Sequence, residues 1–157
     1  MNIDLIVIGK TDSEHVAELV KTYARRLNFY VKFSVVTLPD LRTTRSLTEE
    51  NQRRQEGEML LRQFSAGDFV ALLDERGAEY DSVGFADWMR KRMNGGVRRL
   101  CFVIGGPYGF SREVYARANA SVSLSRMTFS HQIVRAIFAE QIYRAFTILN
   151  NEPYHHQ

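Results

Sequence analysis

The chain has 157 residues, 45% hydrophobic and 25% charged, with a formal net charge of +3. That balance excludes a disordered chain, and the length suits one domain over residues 1–157 that buries enough surface to fold without disulfide or metal staples. The mild positive charge permits a polyanionic partner without requiring one.

In chain order, Ile3 to Ile8 reads as a first strand ended by Gly9. Asp12 or Ser13 can cap a helix to about Leu27, and Phe33 to Leu38 is a second strand stopped by Pro39. Thr48 to Phe64 is a polar helix, and Phe69 to Leu73 a third strand. Asp81 or Ser82 begins a helix through Met93, which Asn94-Gly95-Gly96 ends. Leu100 to Ile104 is a fourth strand, Ser111 to Arg117 a short helix, and Ser121 to Leu124 a fifth strand. Ser130 to Leu149 is the longest helix, followed by a tail. Alternating strands and helices predict an α/β fold. The strands are rich in Val, Ile, Leu and Phe with little alternation, which suits a mostly parallel sheet covered by helices on both faces. Ligands bind beyond the carboxyl ends of such strands, so the loops starting at Asp74, Gly105 and Ser125 are the first places to look.

Cys101 is the only cysteine, so no internal disulfide forms, and its apolar surroundings predict a buried, inert thiol. The opening MNIDLIVIGK lacks the basic lead of a signal peptide, and no run of about 18 apolar residues predicts a membrane span. A cytoplasmic protein is expected.

Among candidate motifs, Gly9-Lys10-Thr11 imitates the end of a phosphate-binding P-loop, but Asp4 stands where that motif needs glycine. Gly105-Gly106-Pro107-Tyr108-Gly109 follows the fourth strand directly. It is either a tight strand-to-helix turn or a loop whose missing Cβ atoms let a ligand approach the backbone. Leu124-Ser125-Arg126-Met127-Thr128-Phe129 alternates small hydroxyl residues with large ones. Such a loop can offer backbone groups to a flat heterocycle, or simply cap the next helix through Thr128 or Ser130. On that helix, His131 and Arg135 lie four apart and share a face, where a cationic pair can meet a phosphate or carboxylate. Glu140 and Arg144, also four apart, form either a surface ion pair or part of a site. In the tail, Tyr154 can stack on a base and His155 can move a proton or touch phosphate. His155-His156 with no nearby cysteine falls short of a zinc ligand set, and no metal is expected. Two basic groups are a candidate RNA footprint or solvated helix faces. One is Arg42, Arg45, Arg53 and Arg54; the other is Arg90, Lys91, Arg92, Arg98 and Arg99.

Five motifs occur in order: IGGPYG at Ile104, LSRMTF at Leu124, HQIVR at His131, EQIYRAF at Glu140 and PYH at Pro153. With LLDERG at Leu72 and the opening IVIGK, the chain resembles, over nearly its full length, the ribosomal RNA large subunit methyltransferase H family of the SPOUT superfamily. The resemblance implies an α/β fold with a deep trefoil knot near the C-terminus, an arrangement that general topology rules would never suggest. It also implies a homodimer and S-adenosylmethionine as cofactor. Carried over by motif, the cofactor contacts are Leu73, Gly105, Leu124, Ser125, Arg126, Met127, Thr128 and Phe129. The implied substrate is a pseudouridine in helix 69 of 23S ribosomal RNA, methylated at N3 on the assembled ribosome. Ser130 stands where the family often has proline, and it can still cap the helix. Arg126 stands where a lysine or small residue is also found, which points to its backbone rather than its side chain.

The expected catalytic residues are His155 as proton acceptor, Tyr154 to stack on or orient the base, and Arg135 and Arg144 to hold phosphates or the deprotonated ring, with a dimer or knot contact the equal alternative for Arg135. Two other functions compete. One is a methyltransferase of the same fold acting on another RNA, such as transfer RNA. The other is a non-enzymatic, ribosome-associated or nucleotide-binding module.

Overall fold

A computed structural model describes residues 1–41 and 47–156. The elements are β1 (Asn2–Ile8), α1 (Glu14–Leu27), β2 (Lys32–Leu38), α2 (Glu49–Leu61), β3 (Phe69–Glu79), α3 (Ser82–Asn94), β4 (Arg99–Ile104), α4 (Arg112–Arg117), β5 (Ala120–Ser123) and α5 (Ile133–Leu149). The five strands pair in the order β2-β1-β4-β3-β5, every pair parallel. The α/β fold with a parallel sheet expected from the apolar runs is therefore the fold observed.

Local chemistry starts the helices where hydroxyl and carboxylate residues stand. Ser13 Oγ accepts from the Val16 N–H at 3.4 Å, Thr48 Oγ1 from Asn51 at 3.2 Å, and Asp81 Oδ1 from Gly84 at 2.7 Å. Each satisfies a backbone donor that has no partner within its helix. Packing then fixes the layers. Ile3, Leu5 and Val7 of β1 join Phe85 and Trp88 of α3, Phe102 of β4, and Phe138 and Phe146 of α5 in one apolar cluster. Ile6 and Ile8 join Cys101, Val103, Leu60 of α2 and Val114 of α4 in another. Alternate residues of one strand thus enter different clusters, as the two-residue period of a strand requires. Cys101 is fully buried, and burial pushes its thiol up to about 11, so it stays unreactive. No helix among the described residues is long and apolar enough to cross a membrane.

Two elements differ from the sequence expectation. β3 does not stop at Leu73. Pairing with β5 is interrupted after Leu73↔Val122 and resumes at Ala78↔Val122 and Glu79↔Ser123, so the bulge carries the polar residues 74–77 out of the ladder. α5 begins at Ile133 rather than Ser130. Gln132 uses its side chain elsewhere: Oε1 accepts from the Asp12 N–H at 2.9 Å, and Nε2 donates to the Lys10 carbonyl at 3.1 Å. Ser130 Oγ still accepts from the Ile133 N–H at 3.2 Å.

The basic groups are only partly free. Arg99 donates to Asp4 at 2.7 Å, to Asp68 at 2.6 Å and to the Gln63 carbonyl at 2.9 Å, tying β1 and β4 to the loop before β3. The Arg92 guanidinium lies over Trp88 at 4.4 Å and Phe69 at 4.7 Å. Arg90 pairs with Asp87, and Arg54 with Glu58. The solvated-face reading fits Arg54 and Arg90, and a packing role fits Arg92 and Arg99. Arg42 and Arg45 lie outside the described residues.

Candidate active site

The ends of β4 and β5 and the bulge of β3 open onto a cleft of about 550 Å³. Register explains the convergence. Leu73 pairs with both Ile104 and Val122, so the bulge of β3 lies beside the ends of β4 and β5. Residues 73–76 form one wall and residues 104–110 another, and Leu124, Ser125 and residues 127–131 close the third side. Leu73, Gly105, Leu124, Ser125, Met127, Thr128 and Phe129 therefore lie together around one cavity. Arg126 is the exception among the eight. Its side chain is 87% exposed and points to Glu79, 3.1 Å away. The loop is held by its own hydroxyls: Ser125 Oγ accepts from the Met127 N–H at 3.0 Å, and Ser123 Oγ donates to the Ser125 carbonyl at 3.1 Å.

Gly105 lines the cleft, and it also packs against Phe110. A Cβ there would stand 3.0 Å from the Phe110 ring, so the glycine accommodates Phe110. Phe110 itself lines the cleft.

Tyr115, which also lines the cleft, carried no sequence signal, whereas Asp74 opens one of the loops singled out at the strand ends. The Tyr115 hydroxyl donates to the Asp74 carboxylate, joining α4 to the β3 bulge. Burial, then the bond to Asp74, pushes Tyr115 up to about 12. Only the i-to-j spacing of 41 residues separates them in sequence, a distance no local pattern reports.

Arg135 is placed otherwise than expected. It is 1% exposed, and Nε donates to the His131 carbonyl at 2.9 Å. Nη1 reaches the Gly9 carbonyl at 2.8 Å and Thr11 Oγ1 at 3.1 Å, and Nη2 the Ile8 carbonyl at 2.8 Å. Burial holds its affinity for a proton below the ordinary arginine value. The guanidinium is occupied by backbone oxygens and cannot meet a phosphate in this arrangement. It ties the end of β1 to the segment leading into α5. His131, its expected partner on a shared cationic face, lines the cleft.

The remaining expected catalytic residues form a second group. Arg144 Nη2 donates to Glu140 Oε1 at 2.6 Å, and the Tyr154 hydroxyl donates to the same oxygen at 3.0 Å. The Arg144 guanidinium lies 4.9 Å from the Tyr154 ring centre, and Nη1 lies 3.1 Å from His155 Nδ1. A guanidinium only donates, so Nδ1 accepts and the His155 proton sits on Nε2, which is buried without a partner. Burial, then bonds to Tyr23 and Glu140, pushes the Tyr154 hydroxyl well above the usual phenol range. The Glu140–Arg144 pair is thus part of a half-buried cluster rather than an isolated surface ion pair.

The tail is anchored by residues that sequence reading missed. Tyr30 donates to Glu152 at 2.6 Å, and Tyr143 packs edge-on against Tyr154 at 4.8 Å. The bond to Glu152, then burial, pushes Tyr30 up to about 12. None of Glu140, Arg144, Tyr154 or His155 lines the cleft. Val134 does, and ten residues of α5 separate it from Arg144, about 15 Å of helix.

Residues 1–155 match the family described as "Predicted SPOUT methyltransferase". A Christiangramia forsetii protein named ribosomal RNA large subunit methyltransferase H is 55% identical over 157 residues, covering 100% of both chains. Proteins of the same name from Flavobacterium johnsoniae and Parabacteroides distasonis are 54% and 50% identical, again over 100% of both chains. Among solved structures, Archaeoglobus fulgidus Nep1 bound to S-adenosylhomocysteine aligns with 94% of this chain and 100% of its own. At 12% identity and a TM-score of 0.45, that likeness is too distant to bear on fold or ligand.

Proposed function

The chain belongs to the SPOUT methyltransferase family, and from that membership we propose that it methylates ribosomal RNA of the large subunit with S-adenosylmethionine as donor. The names of relatives about half identical over their full length support the substrate. The proposed target is N3 of a pseudouridine in helix 69 of 23S RNA on the assembled ribosome. A single cytoplasmic domain over residues 1–157 is part of the same reading. So are helices on both faces of the sheet, supported by the two apolar clusters, and a deep trefoil knot near the C-terminus.

The observation that carries the reading is the cleft where the parallel strands β4 and β5 end beside the bulge of β3. Its volume falls in the small-ligand range of roughly 300–1,000 Å³. Leu73, Ile104, Val122 and Leu124 offer apolar surface to a flat ring, while Ser125, Thr128 and Ser130 bring hydroxyls suited to a sugar. The lining therefore fits S-adenosylmethionine, which when bound supplies a methyl group on a sulfonium. In this assignment Leu73, Gly105, Leu124, Ser125, Met127, Thr128 and Phe129 hold it, and Arg126 contributes through its backbone.

The tail cluster is proposed to handle the RNA. Tyr154 offers a face for the target base, and Arg144 stabilises the ring as its N3 proton leaves. His155 accepts that proton at Nδ1, which requires Arg144 to turn from the histidine toward the substrate. A base held in this way contributes roughly 10²–10⁴-fold to rate. The separation of the cluster from the cleft along α5, about 15 Å, favours a homodimer in which one protomer's tail serves its partner's cleft.

Incubation of ribosomes with methyl-labelled donor, followed by mapping of the labelled nucleotide, tests the function. Label at N3 of a helix 69 pseudouridine is expected. Label on transfer RNA, or none on any RNA, overturns it.

A further inference from the structure

Helix α2 is strongly polar, yet the residues it buries are Glu56, Gly57 and Leu60. A buried leucine is ordinary. A buried glutamate beside a buried glycine in mid-helix costs stability twice over, through desolvation and through backbone entropy. What this pair touches explains the cost. A Cβ on Gly57 would stand 2.3 Å from Ser111 Oγ, and one on Gly106 would stand 2.4 Å from Glu56 Oε2. Helix and loop therefore meet with no room for a side chain on either glycine, and the Glu56 carboxyl fills the gap behind Gly106.

Gly106 belongs to a tight turn, bridged to Gly109 with the Gly109 N–H donating to the Gly106 carbonyl at 3.2 Å. That turn lines the cleft, and Glu56 does not. Ser111, at the other end of the loop, caps α4 by accepting from the Val114 N–H at 3.3 Å. Glu56 and Gly57 thus touch the loop near both its ends from behind.

Glu56 is 2% exposed. Gln52, one turn earlier, donates to Oε1 at 2.9 Å, and Oε2 has no hydrogen-bond partner. A polar atom left unpaired in the interior calls for an explanation. We propose that Glu56 is a positioning residue for cofactor binding: its carboxyl props the Gly106 turn from behind and so sets the shape of the cleft wall that the donor meets. Burial raises the Glu56 carboxyl above its ordinary value, against the opposing bond from Gln52 and with a smaller push from the Asp40 carboxylate.

The inference rests on the cofactor reading above, and calorimetry with S-adenosylmethionine on the full chain separates the two. If the unsubstituted protein binds no donor, both fail. If it binds, Glu56→Ala is expected to weaken affinity about tenfold or more, and Glu56→Gln, which keeps the shape and the bond to Gln52, to stay within about threefold. Glu56→Asp, which withdraws the carboxyl by one methylene, gives the same answer should the alanine variant not fold, and is expected to weaken binding severalfold. Leu60→Ala, on the same helix in the apolar cluster, is expected to lower Tm while leaving affinity within about twofold. Unchanged affinity in folded Glu56→Ala or Glu56→Asp protein overturns the inference alone. So does a Leu60→Ala loss as large as theirs, because affinity would then simply follow stability.

Discussion

The cleft and the tail cluster are built on opposite plans. The cleft is made where β4 and β5 end beside the bulge of β3, largely from glycines, small hydroxyl residues and backbone, and of its seven lining contacts six lie in two short loops and Leu73 in β3. The tail cluster is made of long side chains bonded to one another: Glu140, Arg144, Tyr154 and His155. A backbone site takes its shape from strand register, here with Arg135 of α5 clamping the third wall. A side-chain site depends on every partner being present. The difference teaches that the two halves of the proposed reaction should respond separately to substitution.

The largest effect expected is on the tail side. Deleting residues 154–157 should lower the methylation rate by about 10²-fold or more while donor affinity, by calorimetry, stays within about threefold. Equal losses in both would erase the distinction between the regions. A joint loss is expected instead from Arg135→Met, because that side chain holds the backbone on which the cleft's third wall begins. Its removal leaves the Ile8, Gly9 and His131 carbonyls without their donor. The cost is roughly 3 kcal/mol, or a Tm lower by roughly 6–12 °C, read by calorimetric melting. An unchanged Tm would return Arg135 to the list of substrate-binding groups. The smallest effect is expected at Arg126→Ala. Its ion pair with Glu79 is exposed and contributes under about 1 kcal/mol, so donor affinity should move by less than about twofold. A tenfold loss would show that the side chain, and not only the backbone, reaches the donor.

The strands were legible because each core-forming run, such as 3–8 or 100–104, is apolar with little alternation. The extension of β3 was not, since it consists of polar residues whose pairing resumes only beyond a bulge. The start of α5 was misplaced because Gln132 bonds to a loop 120 residues away, a contact that no helix-start pattern encodes. The cleft loops were legible as glycine and hydroxyl motifs at strand ends. Glu56 was not, because a glutamate in the run 52–56 has the look of solvated surface, and only the tertiary contact with Gly106 shows otherwise. Arg135 misled for the same reason: a charge at helical spacing suggests an outward face, whereas three carbonyls at strand and helix ends had captured it.

The bond from Arg135 to the Gly9 carbonyl joins residues 126 apart. During synthesis the first strand leaves the ribosome long before its clamp is made, and the third wall of the cleft has no anchor until α5 follows. Non-local closures of this kind slow folding more than they weaken the finished structure. The nascent chain therefore passes most of its synthesis without a competent cleft. A product that stops before α5 would lack both this clamp and the α5 side chains, Phe138 and Phe146 among them, that share the apolar cluster with β1 and β4.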